Sequence, residues 1–143
     1  MRSVQPSGAA FYGRYLNRCN EHRFDELAEF VSEKVRVNDE PQGLAAYVDG
    51  LRTVVEAFPD YHWDLRHLFV DGDHLSAHLL DTGTHRGTFH GVPATGRRVA
   101  THELAVYRLD QGRIAEVWVA ADDLALLSRL TGPSPRSRQD AGR

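Results

Sequence analysis

The hydrophobic positions of this chain repeat with two different periods. In the N-terminal part they recur every three to four residues. Phe11, Tyr15, Leu16 and Cys19 fall on one face of a helix expected from Gly8 to Asn20. A short second helix is expected to start at Asp25 as N-cap, with Leu27, Ala28, Phe30 and Val31 as its apolar face. A brief strand, Lys34 to Asn38, follows. A third helix, Gly43 to Phe58, buries Leu44, Tyr47, Val48, Leu51, Val54 and Val55. It stops at Phe58-Pro59-Asp60, because a residue before proline avoids the helical region.

Beyond Asp60 the period falls to two. Strands are predicted over Tyr61–Val70 and His74–Gly83, joined by the turn Asp71-Gly72-Asp73, and over Arg98–Leu109 and Arg113–Ala121, joined by the three-residue turn Asp110-Gln111-Gly112. A glycine-rich loop, Gly87 to Gly96, crosses between the two hairpins. Asp122 or Asp123 caps a last helix that runs through Leu130. The residues before Gly8 read as a lead-in. Those from Thr131 on, rich in Pro, Ser, Gly and Arg, read as a mobile, dispensable tail after one domain spanning 1–131.

Helices followed by an antiparallel meander make an α+β pattern. A strongly curved sheet of this size wraps around its helices and leaves a conical cavity against its concave face. With Leu109 opposite Arg113, the last hairpin sets Val106 against Glu116, Leu104 against Trp118 and His102 against Ala120. His102, Leu104, Val106 and Arg108 then share a face with Glu116, Trp118, Ala120 and Asp122. That face mixes an aromatic, two carboxylates, a histidine and an arginine among aliphatics, and is expected to line the cavity. The opposite face, with Ala105, Tyr107, Val117, Val119 and Ala121, is plainer and is expected to form a homodimer interface.

An acid in an apolar pocket is pushed toward neutrality and becomes an effective acid/base. Asp122 and His102 are the candidate catalytic pair. Trp63, Trp118, Leu104, Glu116, Arg108 and Asn38 are candidates for holding a substrate. Several have competing structural readings: Asp122 as a helix cap, His102 as an ordinary strand histidine, Glu116 with Arg108 as an ion pair, Asn38 as a turn cap.

Composition narrows the partners. The 143 residues are 41% hydrophobic and 26% charged, with a net charge of -3, which suits a globular protein. No basic stripe suggests nucleic acid or an anionic membrane, and no segment is apolar enough to span a bilayer. The lone cysteine, Cys19, excludes an internal disulfide and a four-cysteine metal site, and fits a cytoplasmic location. His85 and His90 lack a cysteine pair nearby, so zinc is not expected; the glycine-rich loop leads into a strand and does not have nucleotide-binding spacing.

Three segments carry a family resemblance: Ala57-Phe58-Pro59-Asp60; the stretch from Gly83 to Val99 (GTHRGTFHGVPATGRRV); and Gly112 to Trp118 (GRIAEVW) followed by Asp122 and Leu126-Leu127. In this order they resemble the SnoaL-like polyketide cyclases over about residues 8–131. The resemblance implies the cone-shaped α+β barrel of the nuclear-transport-factor-2-like superfamily. It implies ring closure of an aromatic polyketide by intramolecular aldol condensation, without metal or cofactor. By position, Asp122 matches the family's acid/base and His102 a histidine found in relatives. Hydroxylation-related chemistry, epoxide opening of the Asp-Arg-Asp kind, and a non-catalytic binding or dimerisation module are the alternatives.

Overall fold

The structure, a computed structural model, describes residues 7–132. The expected lead-in and tail therefore lie almost wholly outside the described residues. Helix α1 (Gly8–Asn20) starts where the Ser7 hydroxyl accepts the Ala10 N–H at 3.0 Å. Its buried stripe is the expected one plus Tyr12. The expected second helix is a 3₁₀ segment, Phe24–Glu29, and Asp25 does not cap it. No side chain caps its start, and this short connector winds as 3₁₀ and goes straight into β1 (Val31–Val37), anchored by the Ile114 N–H donating to the Phe30 carbonyl at 2.7 Å.

Asn38 and Asp39 both have positive φ, 50° and 68°, and turn the chain into the short β2 (Glu40–Pro41). Helix α2 (Leu44–Ala57) ends at Phe58 as expected. The two hairpins then follow: β3 (His62–Asp71) with β4 (His74–Thr84), and β5 (Arg98–Asp110) with β6 (Arg113–Ala121). Helix α3 (Asp123–Thr131) closes the described chain.

All six strands form one mixed sheet in the order β2-β1-β6-β5-β4-β3. Every neighbouring pair is antiparallel except β1 with β6, which run parallel. Helix α1 packs against β3, α2 against β1 and α3 against β5. The core fills the space between: Tyr12 from α1, Leu27, Leu75 from β4 and Ile114 from β6 are fully enclosed. A second cluster of Phe58, Val99, Leu126 and Leu130 seals the end near α3.

The last hairpin differs from expectation in one respect. Its turn has two residues, Gln111 and Gly112, both at positive φ (53° and 78°), closing an Asp110↔Arg113 pair. Two successive left-handed residues give the tight turn whose twist matches the strands. A bulge between Arg108 and Leu109 absorbs the remaining offset. Cross-strand partners shift accordingly: Val106 faces Trp118 and Leu104 faces Ala120. The grouping of side chains by face is unaltered.

Candidate functional site

What changes is which of those two faces looks inward. On β4, Leu75, Ala77, Leu79 and Asp81 are buried while the residues between them are not. The ladder pairs Ala77 with Ala105, Leu79 with Glu103 and Asp81 with Thr101. The concave face therefore carries Thr101, Glu103, Ala105 and Tyr107 of β5 with Val117 and Val119 of β6. These residues are the inner wall, not the interface expected for them. The opposite set, including His102, Leu104, Val106 and Trp118, lies on the convex face, where Leu104 is 61% exposed.

Between the concave face and the helices lies a cavity of about 210 Å³. Tyr12, Tyr15, Leu16 and Cys19 reach it from α1, and Tyr47, Leu51 and Val54 from α2. Phe58, Tyr61, Trp63 and Leu79 complete one side, and Phe89 reaches in from the glycine-rich loop, edge-on to Phe58 with ring centroids 5.2 Å apart. Asp123 and Leu126 border the end nearest α3.

Of the catalytic and substrate-holding candidates named from the sequence, Trp63 alone lines this cavity. Asp122 stands outside it as the N-cap of α3, its carboxylate accepting the Ala125 N–H at 3.1 Å. His102 faces solvent in a hydrogen-bonded row of imidazoles, His67 to His78 and His78 to His102, each link 2.9 Å. Glu116 accepts both Nε and Nη2 of Arg108, at 3.2 and 3.1 Å, as an ion pair on the outer face. The Trp118 indole donates to Asp39 at 2.9 Å. Asn38 uses its side-chain amide as an extra rung of the sheet, accepting the Val119 N–H and donating to the Val119 carbonyl. The expected Asp122–His102 pairing and the substrate contacts of Asn38, Trp118, Glu116, Arg108 and Leu104 are thus not assembled in the cavity. Strand alternation sorts side chains into two sets but does not say which set is inside.

The polar groups that do converge are different ones. Glu103 and Thr101 are on the wall, and Thr101 Oγ1 is buried without a hydrogen-bond partner. Asp81 lies behind them, 1% exposed, with the Tyr61 hydroxyl donating to its Oδ2 at 3.2 Å and the Glu103 carboxyl in hydrogen-bonding reach. Burial first, then the neighbouring Glu103, pushes the Asp81 acid up to about 10. Elsewhere on the wall, Tyr12 and Tyr107 share a hydroxyl–hydroxyl bond of 3.2 Å, and Tyr15 bonds Tyr47. Burial drives all four tyrosines well above the usual phenol range, so they stay protonated donors. It also pushes the Cys19 thiol up to about 12, which removes it as a nucleophile.

His85, fully buried in the loop, accepts the Thr95 N–H at Nδ1 (3.2 Å). The ring sits 5.4 Å from that of Phe58 and braces the segment that presents Phe89. Among the described residues, no cluster of three or more His, Cys, Asp or Glu side chains is arranged to hold a metal ion, and no helix is long and apolar enough to cross a membrane.

The model of the SnoaL-like polyketide cyclase family matches residues 9–130. The chain belongs to this family. Among SnoaL-like relatives, the aklanonic acid methyl ester cyclase DnrD of Streptomyces peucetius is 26% identical over 129 residues, covering 85% of this chain and 89% of that protein. The crystal structure of a SnoaL-like polyketide cyclase from Agrobacterium tumefaciens is 32% identical, with a TM-score of 0.79 over 88% of this chain and 99% of that one. TsrD from Streptomyces laurentii, 23% identical with a TM-score of 0.80 over 89% of this chain and 98% of its own, shares the fold. The curved sheet with helices packed on its concave side is the nuclear-transport-factor-2-like cone of SnoaL-like proteins.

Proposed function

We propose that this SnoaL-like chain closes a ring of an aromatic polyketide by intramolecular aldol chemistry inside the cavity, with Glu103 as the acid/base. The observation that carries the reading is the placement of the Glu103 carboxyl. It lines a mostly aromatic and aliphatic cavity and takes part in no ion pair among the described residues. Such a group is suited to take a proton from a carbon acidified by an adjacent carbonyl.

The remaining requirements are met by side chains. Loss of that proton leaves negative charge on the carbonyl oxygen. A pair of tyrosine hydroxyls uses one of its two protons internally, so the Tyr12–Tyr107 pair has a second to donate to the developing enolate. The enolate carbon then bonds to the second carbonyl carbon, and the alkoxide formed takes the proton back from Glu103. The aldol addition is balanced as an isomerisation and calls on no metal or organic cofactor.

The epoxide-opening alternative loses its residues, since Arg108 and Asp122 both lie outside the cavity. The buried free thiol of Cys19 supports a reducing, cytoplasmic setting.

Incubation of the purified protein with aklanonic acid methyl ester, followed by liquid chromatography and mass spectrometry, tests the reading. A product of unchanged mass and altered retention is expected. Glu103→Gln should slow its formation by about two to four orders of magnitude. No conversion by the unsubstituted protein, or full activity in Glu103→Gln, overturns it.

A further inference from the structure

Asp81 is a carboxyl group that the ring-closing scheme does not use and that water does not reach. It sits on β4 opposite Trp63 of β3 and Thr101 of β5, and Glu103 is its diagonal neighbour on the same face of the sheet. No lysine, arginine or histidine pairs with either acid among the described residues.

The hydrogen-bond inventory of Asp81 is one-sided. Its Oδ2 accepts from the Tyr61 hydroxyl, while its Oδ1 is buried with no donor. As a carboxylate, Asp81 would bury a charge with one oxygen unsatisfied, against a second carboxyl, at a cost well above that of a neutral acid. As a carboxylic acid, Asp81 can carry a proton on that oxygen and offer it to the Glu103 carboxyl, which is in hydrogen-bonding reach of the Asp81 side chain. The Oδ1 atom is an orphan only if it is read as an acceptor.

We propose that Asp81 stands protonated at neutral pH, donates its Oδ1–H to Glu103, and acts as a positioning residue that aims the Glu103 carboxylate into the cavity. The inference rests on the acid/base reading of Glu103 given above. The proton stays on Asp81 throughout, and only Glu103 exchanges protons with substrate. Burial and the Glu103 neighbour both favour the neutral form. The Tyr61 bond to Oδ2 works the other way, favouring the carboxylate, but burial and Glu103 outweigh it. Tyr61, Tyr12, Tyr47 and Tyr107 are themselves held protonated chiefly by burial and bring no charge to the pair.

An amide reproduces a protonated acid: in Asp81→Asn the Nδ2–H can donate to Glu103 and the oxygen can accept from Tyr61. Infrared spectroscopy at pH 8 reads the proton directly and needs no substrate. The carboxylic C=O band of a protonated acid should be present in the unsubstituted protein, persist in Glu103→Gln and vanish in Asp81→Asn. Absence of the band, or its loss in Glu103→Gln with persistence in Asp81→Asn, overturns the proposal. On aklanonic acid methyl ester, Asp81→Asn should keep turnover within about tenfold, whereas Asp81→Leu, which offers no donor, should lose it by about a hundredfold or more. A loss in Asp81→Asn as deep as in Glu103→Gln would make Asp81 the proton-transferring group and also overturns it. If the band assigns to Asp81 but no ring closes, the proton's position stands and the cyclase reading fails.

Discussion

Asp122 and Asp123 are consecutive in the chain and divide two tasks between them. Asp122 turns back to accept the Ala125 N–H and starts α3, while Asp123, in the first turn of the helix, borders the cavity. Replacing Asp122 with Ala should cost about 1 kcal/mol of stability, the usual worth of an N-cap, with little change in turnover. Asp122→Asn should do less, since asparagine caps as well as aspartate. Chemical denaturation and the ring-closure assay together check this. A thousandfold loss of turnover in a folded Asp122→Asn protein would restore Asp122 as the acid/base.

The buried acid makes stability fall with rising pH. Asp81 in the folded state is pushed up to about 10, whereas in the unfolded chain it titrates near 4. Between these values the folded state holds a proton that the unfolded state has released. The contribution of Asp81 to stability is therefore full below about pH 4 and is lost progressively as pH rises toward 10. Melting curves between pH 5 and 9 should show a downward slope that is reduced in Asp81→Asn, which should be the more stable protein at pH 8. Equal slopes in both proteins would contradict the shift.

Tyr107→Phe keeps the ring and removes one hydroxyl of the buried pair. Tyr12 then loses its partner, and about 1 kcal/mol of stability should go with it. Removing both hydroxyls, Tyr12→Phe with Tyr107→Phe, leaves the pair no donor, and titration with 1,8-dihydroxyanthraquinone, followed by tyrosine and tryptophan fluorescence, should show weaker binding by about tenfold, the worth of one hydrogen bond to a ligand oxygen. Unchanged affinity would remove the pair from the recognition of ring oxygens.

On the convex face, cross-strand pairing aligns Phe69, Ser76, Val106 and Trp118 in one row across four strands, with Leu104 beside it. Phe69 is 68% exposed. We propose this row as the contact in a homodimer, in place of the inner face expected from the sequence. Sedimentation should show a dimer at micromolar concentration that Leu104→Lys with Val106→Lys converts to monomer, because two buried unpaired charges oppose association. A monomeric unsubstituted protein would refute it.

Much of the architecture was legible in the sequence. The change of period after Asp60 separates helices from strands, and Phe58-Pro59 marks where α2 stops. The site was less legible. Alternation sorts β5 correctly, but a richness in polar groups does not mark the inner face, because here the convex face is the richer. The deciding signal was one strand earlier, in the Leu75, Ala77, Leu79 alternation of β4. Carried across the ladder, it places Glu103 inside and His102 outside. Asp81 is the next residue of that same buried set, so a carboxyl in the core was readable there. Its proton was not, because that depends on Tyr61 and Glu103, which only tertiary pairing brings to it.

The parallel pairing of β1 with β6 has a consequence for how the molecule comes into being. The two hairpins close through neighbouring residues and can form as soon as they are synthesised, whereas β1 must wait for β6, which follows both hairpin turns. Val117 and Val119 belong to that late strand and to the cavity wall. A nascent chain still lacking them has α1, α2 and the β3-β4-β5 part of its sheet but neither β6 nor α3, so the chamber closes and can bind only once β6 has emerged and paired.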